Sequence, residues 1–147
     1  ASVLADGEPE VSMCWADRDT GALCRGRIDW LNPKALVDVK STKDASVDGF
    51  MREAANLGMD LQAAAYIDGY EQLTGVRLPF LHIAVETGAL PMVVVHQLPD
   101  DGLDRGARRW AEAKRLYAEC VETGTWPAGA NYPTNEISTG AWPRWAA

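Results

Sequence analysis

Alternating apolar stretches open the chain, and longer helical spacings follow. From Glu10 to Asp17 the apolar residues Val11, Met13 and Trp15 recur at every second position, the period of a half-buried strand. Asp19-Thr20-Gly21 is a turn signal, and Leu23 to Trp30 reads as a second strand, so the two predict a hairpin. Asn32-Pro33-Lys34 is another turn, and Ala35 to Lys40 makes a short third strand. A helix follows, with Ser46 as its cap, Asp48 in its first turn, and Phe50, Ala54 and Leu57 on one face. Gly58 interrupts it, and a second helix runs from about Met59 to Leu73, ended by Gly75. Phe80 to Glu86 and Pro91 to Leu98 are apolar strands joined by Thr87-Gly88-Ala89. A last amphipathic helix covers about Leu103 to Glu122, with Ala107, Trp110, Ala111, Lys114, Leu116, Tyr117 and Val121 along it. Beyond Gly124, Pro, Gly and Trp dominate, so residues 124–147 are expected to be an irregular tail. Strands, helices, two more strands and a helix predict an α/β or α+β fold, a mixed sheet flanked by helices.

The 147 residues suit a single domain with one core, taken as residues 1–147. No run approaches the roughly 18 unbroken apolar residues of a membrane span, so no membrane partner is expected. The start lacks the basic and apolar segments of a secretory signal. A formal charge of −7 argues against a nonspecific nucleic-acid coat. It leaves room for carboxylates that serve a cation, because a bound cation reverses the local field. Basic residues cluster late, at Arg105, Arg108, Arg109, Lys114 and Arg115. They read either as a track for a nucleic-acid backbone or as the solvated side of the helix. Cys14, Cys24 and Cys120 have no paired spacing and are expected to be buried free thiols in a reducing cytoplasm.

The candidate chemistry lies in the second and third strands. Asp29 is placed at the end of one, and Asp38-Val39-Lys40 on the next puts Asp38 and Lys40 on a common face. Two carboxylates meet the needs of Mg²⁺, which favours oxygen ligands and keeps several waters. The Val39 carbonyl can add a further oxygen. Lys40 then neutralises a phosphate or orients water, and its position among carboxylates favours an electrostatic role over that of general base. The alternative is an ordinary surface ion pair between Asp38 and Lys40. Gln62 and Tyr66 fall one turn apart on the second helix, with alanines between them that permit close approach to the sheet. They read either as site groups or as a surface amide beside a core ring. His82 and His96 are expected to be core or satisfied surface histidines, and Glu86 to face solvent. Glu10 reads either as a further metal ligand or as an exposed strand residue.

Together, Asp29, then Asp38-Val39-Lys40, then Gln62-x-x-x-Tyr66 resemble the PD-(D/E)xK nuclease superfamily. Within it the chain is similar to the RecB-like branch, and most of all to RecE-type exonucleases (exonuclease VIII) of phage and prophage recombination. Cys24-Arg25-Gly26-Arg27-Ile28-Asp29-Trp30, Val37-Asp38-Val39-Lys40-Ser41-Thr42, Asp68-Gly69-Tyr70 and Gly124-Thr125-Trp126-Pro127 carry the same resemblance. It implies a restriction-endonuclease-like core and Mg²⁺-dependent exonuclease action on linear duplex DNA, with Mn²⁺ as a substitute ion. It assigns Asp29 and Asp38 to the metal, makes Lys40 the catalytic lysine, and adds Gln62 and Tyr66 to the site. It further implies DNA ends as partner, a homo-oligomeric ring, a single-strand annealing protein, and the cytoplasm of a bacterial or phage-infected cell. Family members have more chain upstream, with a helix that brings a histidine or glutamate to the metal. The chain is therefore expected to be either part of a longer nuclease or a compact variant. The rival expectations are an endonuclease or repair-complex module of the same superfamily, or a truncated, non-catalytic domain that binds DNA or a partner.

Overall fold

The computed structural model describes residues 3–126. Three strands open the chain, β1 (Glu8–Ala16), β2 (Leu23–Asn32) and β3 (Ala35–Thr42). Two helices follow, α1 (Val47–Leu57) and α2 (Met59–Thr74), then β4 (Phe80–Glu86), β5 (Val93–His96) and α3 (Asp100–Thr123). The strands form one five-stranded sheet in the order β1-β2-β3-β4-β5. Every neighbouring pair is antiparallel except β3 and β4, which run parallel because α1 and α2 make the crossover between them. The fold is thus α+β, a mixed sheet with helices, as the apolar pattern predicts.

Local chemistry explains the element ends. Ser46 Oγ accepts the Gly49 N–H at 3.2 Å and caps α1, an interaction worth about 1 kcal/mol. Gly58 adopts φ 69°, the left-handed conformation that closes α1, and the next residue begins α2. The abrupt stop leaves Leu57 67% exposed, so of the three apolar residues expected on one α1 face only Phe50 and Ala54 are buried. α3 starts three residues earlier than its apolar spacing suggests, because Pro99 sets an extended entry and Asp100 and Asp101 occupy the first turn. β5 is shorter than expected. The Glu86 N–H donates to the Met92 carbonyl at 2.9 Å and the Met92 N–H to the Glu86 carboxylate at 3.2 Å, whereas Pro91 has no N–H to give.

The main core lies between the sheet and the helices and includes Met13, Trp15, Ile28, Leu36, Phe50, Ala63 and Phe80. A smaller cluster of Ala35, Val37 and Ile83, with Trp30 packed on it, covers the other face. α3 docks closely on α2: a Cβ at Gly106 would collide with the Asp60 carbonyl. α3 buries Gly106, Lys114 and Cys120 and packs Leu103 and Trp110 on the core, so the expected stripe holds at Trp110 and Lys114, whereas Leu116, Tyr117 and Val121 are substantially exposed. All three cysteines are free, but only Cys120 is buried; Cys14 is exposed, paired with Arg25 in the outer hairpin. Among the described residues no helix is long and apolar enough to cross a membrane. Of the expected irregular tail, residues 127–147, with Trp142 and Trp145, lie outside the described residues.

Candidate active site

Asp38 and Lys40 sit within β3 rather than at its end, because the strand continues to Thr42. Asp29 likewise lies three residues before the end of β2. What makes the place distinctive is a gap in pairing. β2 and β3 pair only from Trp30–Asn32 to Ala35–Val37, and β1 and β2 skip the rung between Glu10 and Asp29. Glu10 holds φ 56°, left-handed backbone inside a strand, a strain of order 1–3 kcal/mol. The irregularity changes which residues of β2 meet the helices: Gly26 and Ile28 before it, then Leu31 after it. Asp29 falls in that break. Its Oδ2 accepts the Val39 N–H at 2.8 Å, taking the place of a backbone partner where the ladder opens.

Asp38 is 3% exposed and is the hub. Its Oδ1 accepts hydrogen bonds from Lys40 Nζ at 3.1 Å and from Gln62 Nε2 at 2.9 Å. Its Oδ2 lies 2.9 Å from Lys40 Nζ but accepts no hydrogen bond among the described residues. Burial foremost raises the Asp38 carboxyl above the ordinary range; contacts with Lys40 and Gln62 pull it back, and the Asp29 charge raises it further. The two carboxylates are therefore close enough to repel each other. Gln62 reaches Asp38 from the first half of α2, where Ala63 and Ala64 are buried and let the helix lie close to the sheet.

Tyr66, one turn further along α2, reaches β2 instead of Asp38. Its hydroxyl accepts the Arg27 N–H at 3.3 Å, and its ring lies over Gly26 and edge-on to Phe80 at 5.7 Å. Glu10 pairs with Arg27 at 2.7 Å, with both side chains more than half exposed. Glu86 accepts the N–H groups of Ala45 and Met92, so it braces loops rather than facing solvent. Arg105 and Arg109, one turn apart on α3, both grip buried Asp60 at 2.8 and 3.0 Å, and Arg115 lies 3.4 Å from Glu119. Those arginines are therefore engaged in ion pairs. Thr42 donates to Glu53 Oε2 at 2.5 Å.

Two features escape the sequence pattern. His82 is the register partner of Asp38 on β4, fully buried, and neither ring nitrogen has a hydrogen-bond partner among the described residues. Burial, then the Lys40 and His96 charges, lower its pKa to about 4, so the ring is neutral. The second feature is an ionic knot in which Lys114 meets both Asp17 and Asp68. Gln72 donates to both carboxylates at 2.9 and 3.0 Å, and Trp110 Nε1 donates to Asp68 at 2.7 Å. The separation of 97 residues between Asp17 and Lys114 hides it from any local pattern.

The donor set suits a hard dication. It offers two repelling carboxylates and one buried oxygen without a hydrogen bond. Among the described residues no group of three or more His, Cys, Asp or Glu gathers in ligand geometry. Any ion here would therefore keep several waters, as Mg²⁺ commonly does. A cavity of about 220 Å³ lined by Met51, Ala54, Leu98 and Arg105 includes none of these groups.

A family model described as a PDDEXK-like domain of unknown function, DUF3799, matches residues 1–133. No curated protein sequence matches the chain significantly. Among solved structures, one described as a "putative exonuclease" from Eubacterium rectale aligns with a TM-score of 0.69 at 20% identity. That alignment covers 98% of this chain and 57% of the other, so this chain spans little more than half that protein's length. A second structure, SSO0001, aligns at a TM-score of 0.44 and 13% identity, over 76% of this chain and 50% of its own, too low to carry an argument. The chain belongs to the PDDEXK-like DUF3799 family, and its mixed five-stranded sheet with helices is the fold of the PD-(D/E)xK superfamily.

Proposed function

We propose that the chain is a metal-dependent DNA nuclease, acting as an exonuclease of the RecE type on the ends of linear duplexes. The observation that carries this reading is the convergence of Lys40 and Gln62 on the buried Asp38 carboxylate, with Asp29 close enough to add its charge. Membership of a PDDEXK-like family supports it, as does the likeness in fold to a protein described as a "putative exonuclease". In this reading residues 1–147 form one nuclease domain that is part of a longer protein or stands alone.

Asp29, Asp38 and the Val39 carbonyl would hold the ion, Mg²⁺ or Mn²⁺. When bound, it supplies positive charge for the phosphoryl oxygens and the leaving oxygen, and acidifies a water. The chain's own groups set the rest. Gln62 fixes one face of the Asp38 carboxylate, leaving the other oxygen for a ligand. Lys40 presents a cation beside the carboxylates, placed to neutralise a phosphate and steer the attacking water. The Val39 N–H anchors Asp29 at the opening between β2 and β3. Tyr66 steadies β2 two residues before Asp29 through the Arg27 N–H.

Digestion of end-labelled linear duplex and of a closed circle, each with Mg²⁺ or EDTA, tests the reading. Wild type is expected to degrade the linear form alone and only with the ion. Lys40→Ala is expected to lose about 10²–10³-fold in rate, the usual loss when one transition-state donor is removed. Equal attack on the closed circle would identify an endonuclease instead. No digestion of either form by folded, ion-loaded protein would leave a non-catalytic binding domain.

A further inference from the structure

We infer that His82 is a positioning residue for Asp38, sharing an imidazole N–H with the buried carboxylate oxygen of Asp38 through one bridging water. The inference rests on the reading of Asp38 as a metal-holding residue.

Asp38 and His82 occupy the same rung of the parallel β3–β4 ladder, and His96 follows on β5. Neighbours on one rung project to the same face of a sheet. Both residues are almost completely buried, at 3% and 0% exposure. Each also carries polar atoms without a hydrogen bond among the described residues: Oδ2 of Asp38, and both ring nitrogens of His82. His96 makes the contrast. Its Nε2 lies 3.0 Å from the Ala45 carbonyl, and its ring stacks on Phe50 at 4.4 Å, so it is satisfied as a core histidine.

A buried polar group without a partner costs stability. Apart from Asp38 and His96 on its own rung, His82 meets apolar groups: Phe50 and Phe80 lie at ring distances of 5.5 and 5.0 Å, and Ala84 is fully buried on the same strand. A phenylalanine or leucine would satisfy packing there without that cost. An imidazole, with one donor and one acceptor when neutral, gives the carboxylate what an apolar ring cannot. A buried water needs two to four polar partners. The His82 ring, Asp38 Oδ2 and the Lys40 ammonium supply three. Such a link would hold the carboxylate in the orientation that presents an oxygen to the ion, the role that groups behind metal ligands commonly play.

The test uses His82→Phe, His82→Asn and Asp38→Asn in the full chain. His82→Phe is expected to melt at or above the wild-type temperature, yet to bind Mn²⁺ about tenfold more weakly in a titration followed by electron paramagnetic resonance. His82→Asn, which keeps an N–H, is expected to recover most of that affinity without improving the packing. Independently of any metal, nitrogen–proton NMR of the apo protein is expected to show the His82 ring signals shifted by Asp38→Asn, with those of His96 unmoved. Unchanged Mn²⁺ affinity in His82→Phe, or His82 signals indifferent to Asp38→Asn, would overturn the inference. Wild type that binds no Mn²⁺, while the His82 signals still respond to Asp38→Asn, would defeat the metal reading and leave the His82–Asp38 contact standing.

Discussion

Asp38→Asn is expected to abolish hydrolysis while leaving the protein as stable as wild type, or more so, at neutral pH. The loss follows from the site. Asp38 is where Lys40 and Gln62 meet, and Lys40 Nζ also lies 2.9 Å from its second oxygen. An amide removes the charge that would hold the ion, whose contribution of several kcal/mol to the transition state corresponds to about a thousandfold in rate. The gain in stability follows from burial, which foremost raises the Asp38 carboxyl and outweighs the pull of Lys40, with Asp29 adding to the rise. An acid with a raised folded pKa favours folding while protonated, below its unfolded value of about 3.9. That contribution fades as pH climbs through the folded value. At pH 7 the ionised, buried Asp38 is therefore a cost that the amide relieves. Thermal melts of the two proteins at pH 7, beside rates on linear duplex, check both halves. A clear fall in melting temperature for Asp38→Asn would show that the carboxylate stabilises the fold, contrary to this account.

Lys114→Met is expected to be among the most destabilising single changes in the chain, by about 3–5 kcal/mol, because it strands a buried charge. Asp17 is fully buried, and Lys114 joins it to Asp68 where β1, α2 and α3 meet. Against a typical total of about 5–15 kcal/mol, that loss threatens folding at growth temperature. The pH dependence separates this cause from lost packing. Burial alone would raise both carboxyls. Hydrogen bonds from Lys114 and Gln72, joined by Thr20 at Asp17 and Trp110 at Asp68, outweigh it and hold both below the ordinary range. Lys114 is correspondingly raised, because its two partners outweigh its own desolvation. The stability lent by the carboxylates is complete above about pH 4 and is lost as pH falls through their depressed values. The part lent by Lys114 is complete below about pH 10.4 and is lost above it. The deficit of Lys114→Met should therefore be largest near pH 7 and shrink at pH 3. Urea unfolding at the two pH values measures it, and an equal deficit at both would assign the effect to packing.

Local periodicity and punctuation made most of the fold legible. Val11, Met13 and Trp15 alternate because one face of β1 meets the helices. Gly58 and Gly75 end their helices because both take left-handed backbone. Where the reading failed, non-local forces decided. The exposure of Leu116 and Val121 follows from α3 turning Gly106 and Lys114 inward, toward a backbone approach and an ionic knot that no helical spacing encodes. Arg105 and Arg109 resemble a nucleic-acid track until Asp60, 45 and 49 residues away, is seen to recruit them.

The candidate site was partly legible. Asp38 with Lys40, and Gln62 one helix later, follow from strand and helix spacing joined to the superfamily's motif order, and the structure brings those three side chains together. The break in pairing around Glu10 and Asp29 was not legible, because it is a property of registers between strands. Nor was the place of His82 beside Asp38, because a parallel rung across a two-helix crossover leaves no trace in local sequence.

The most direct measurement is a crystal structure of the wild-type chain with Mn²⁺, using anomalous scattering to locate the ion. One strong peak is expected, with oxygens of both Asp29 and Asp38 in its coordination shell at about the 2.1 Å typical of small hard dications. A peak elsewhere, or no peak with Asp29 still bound to the Val39 N–H and Asp38 still held by Lys40 and Gln62, would contradict the metal reading.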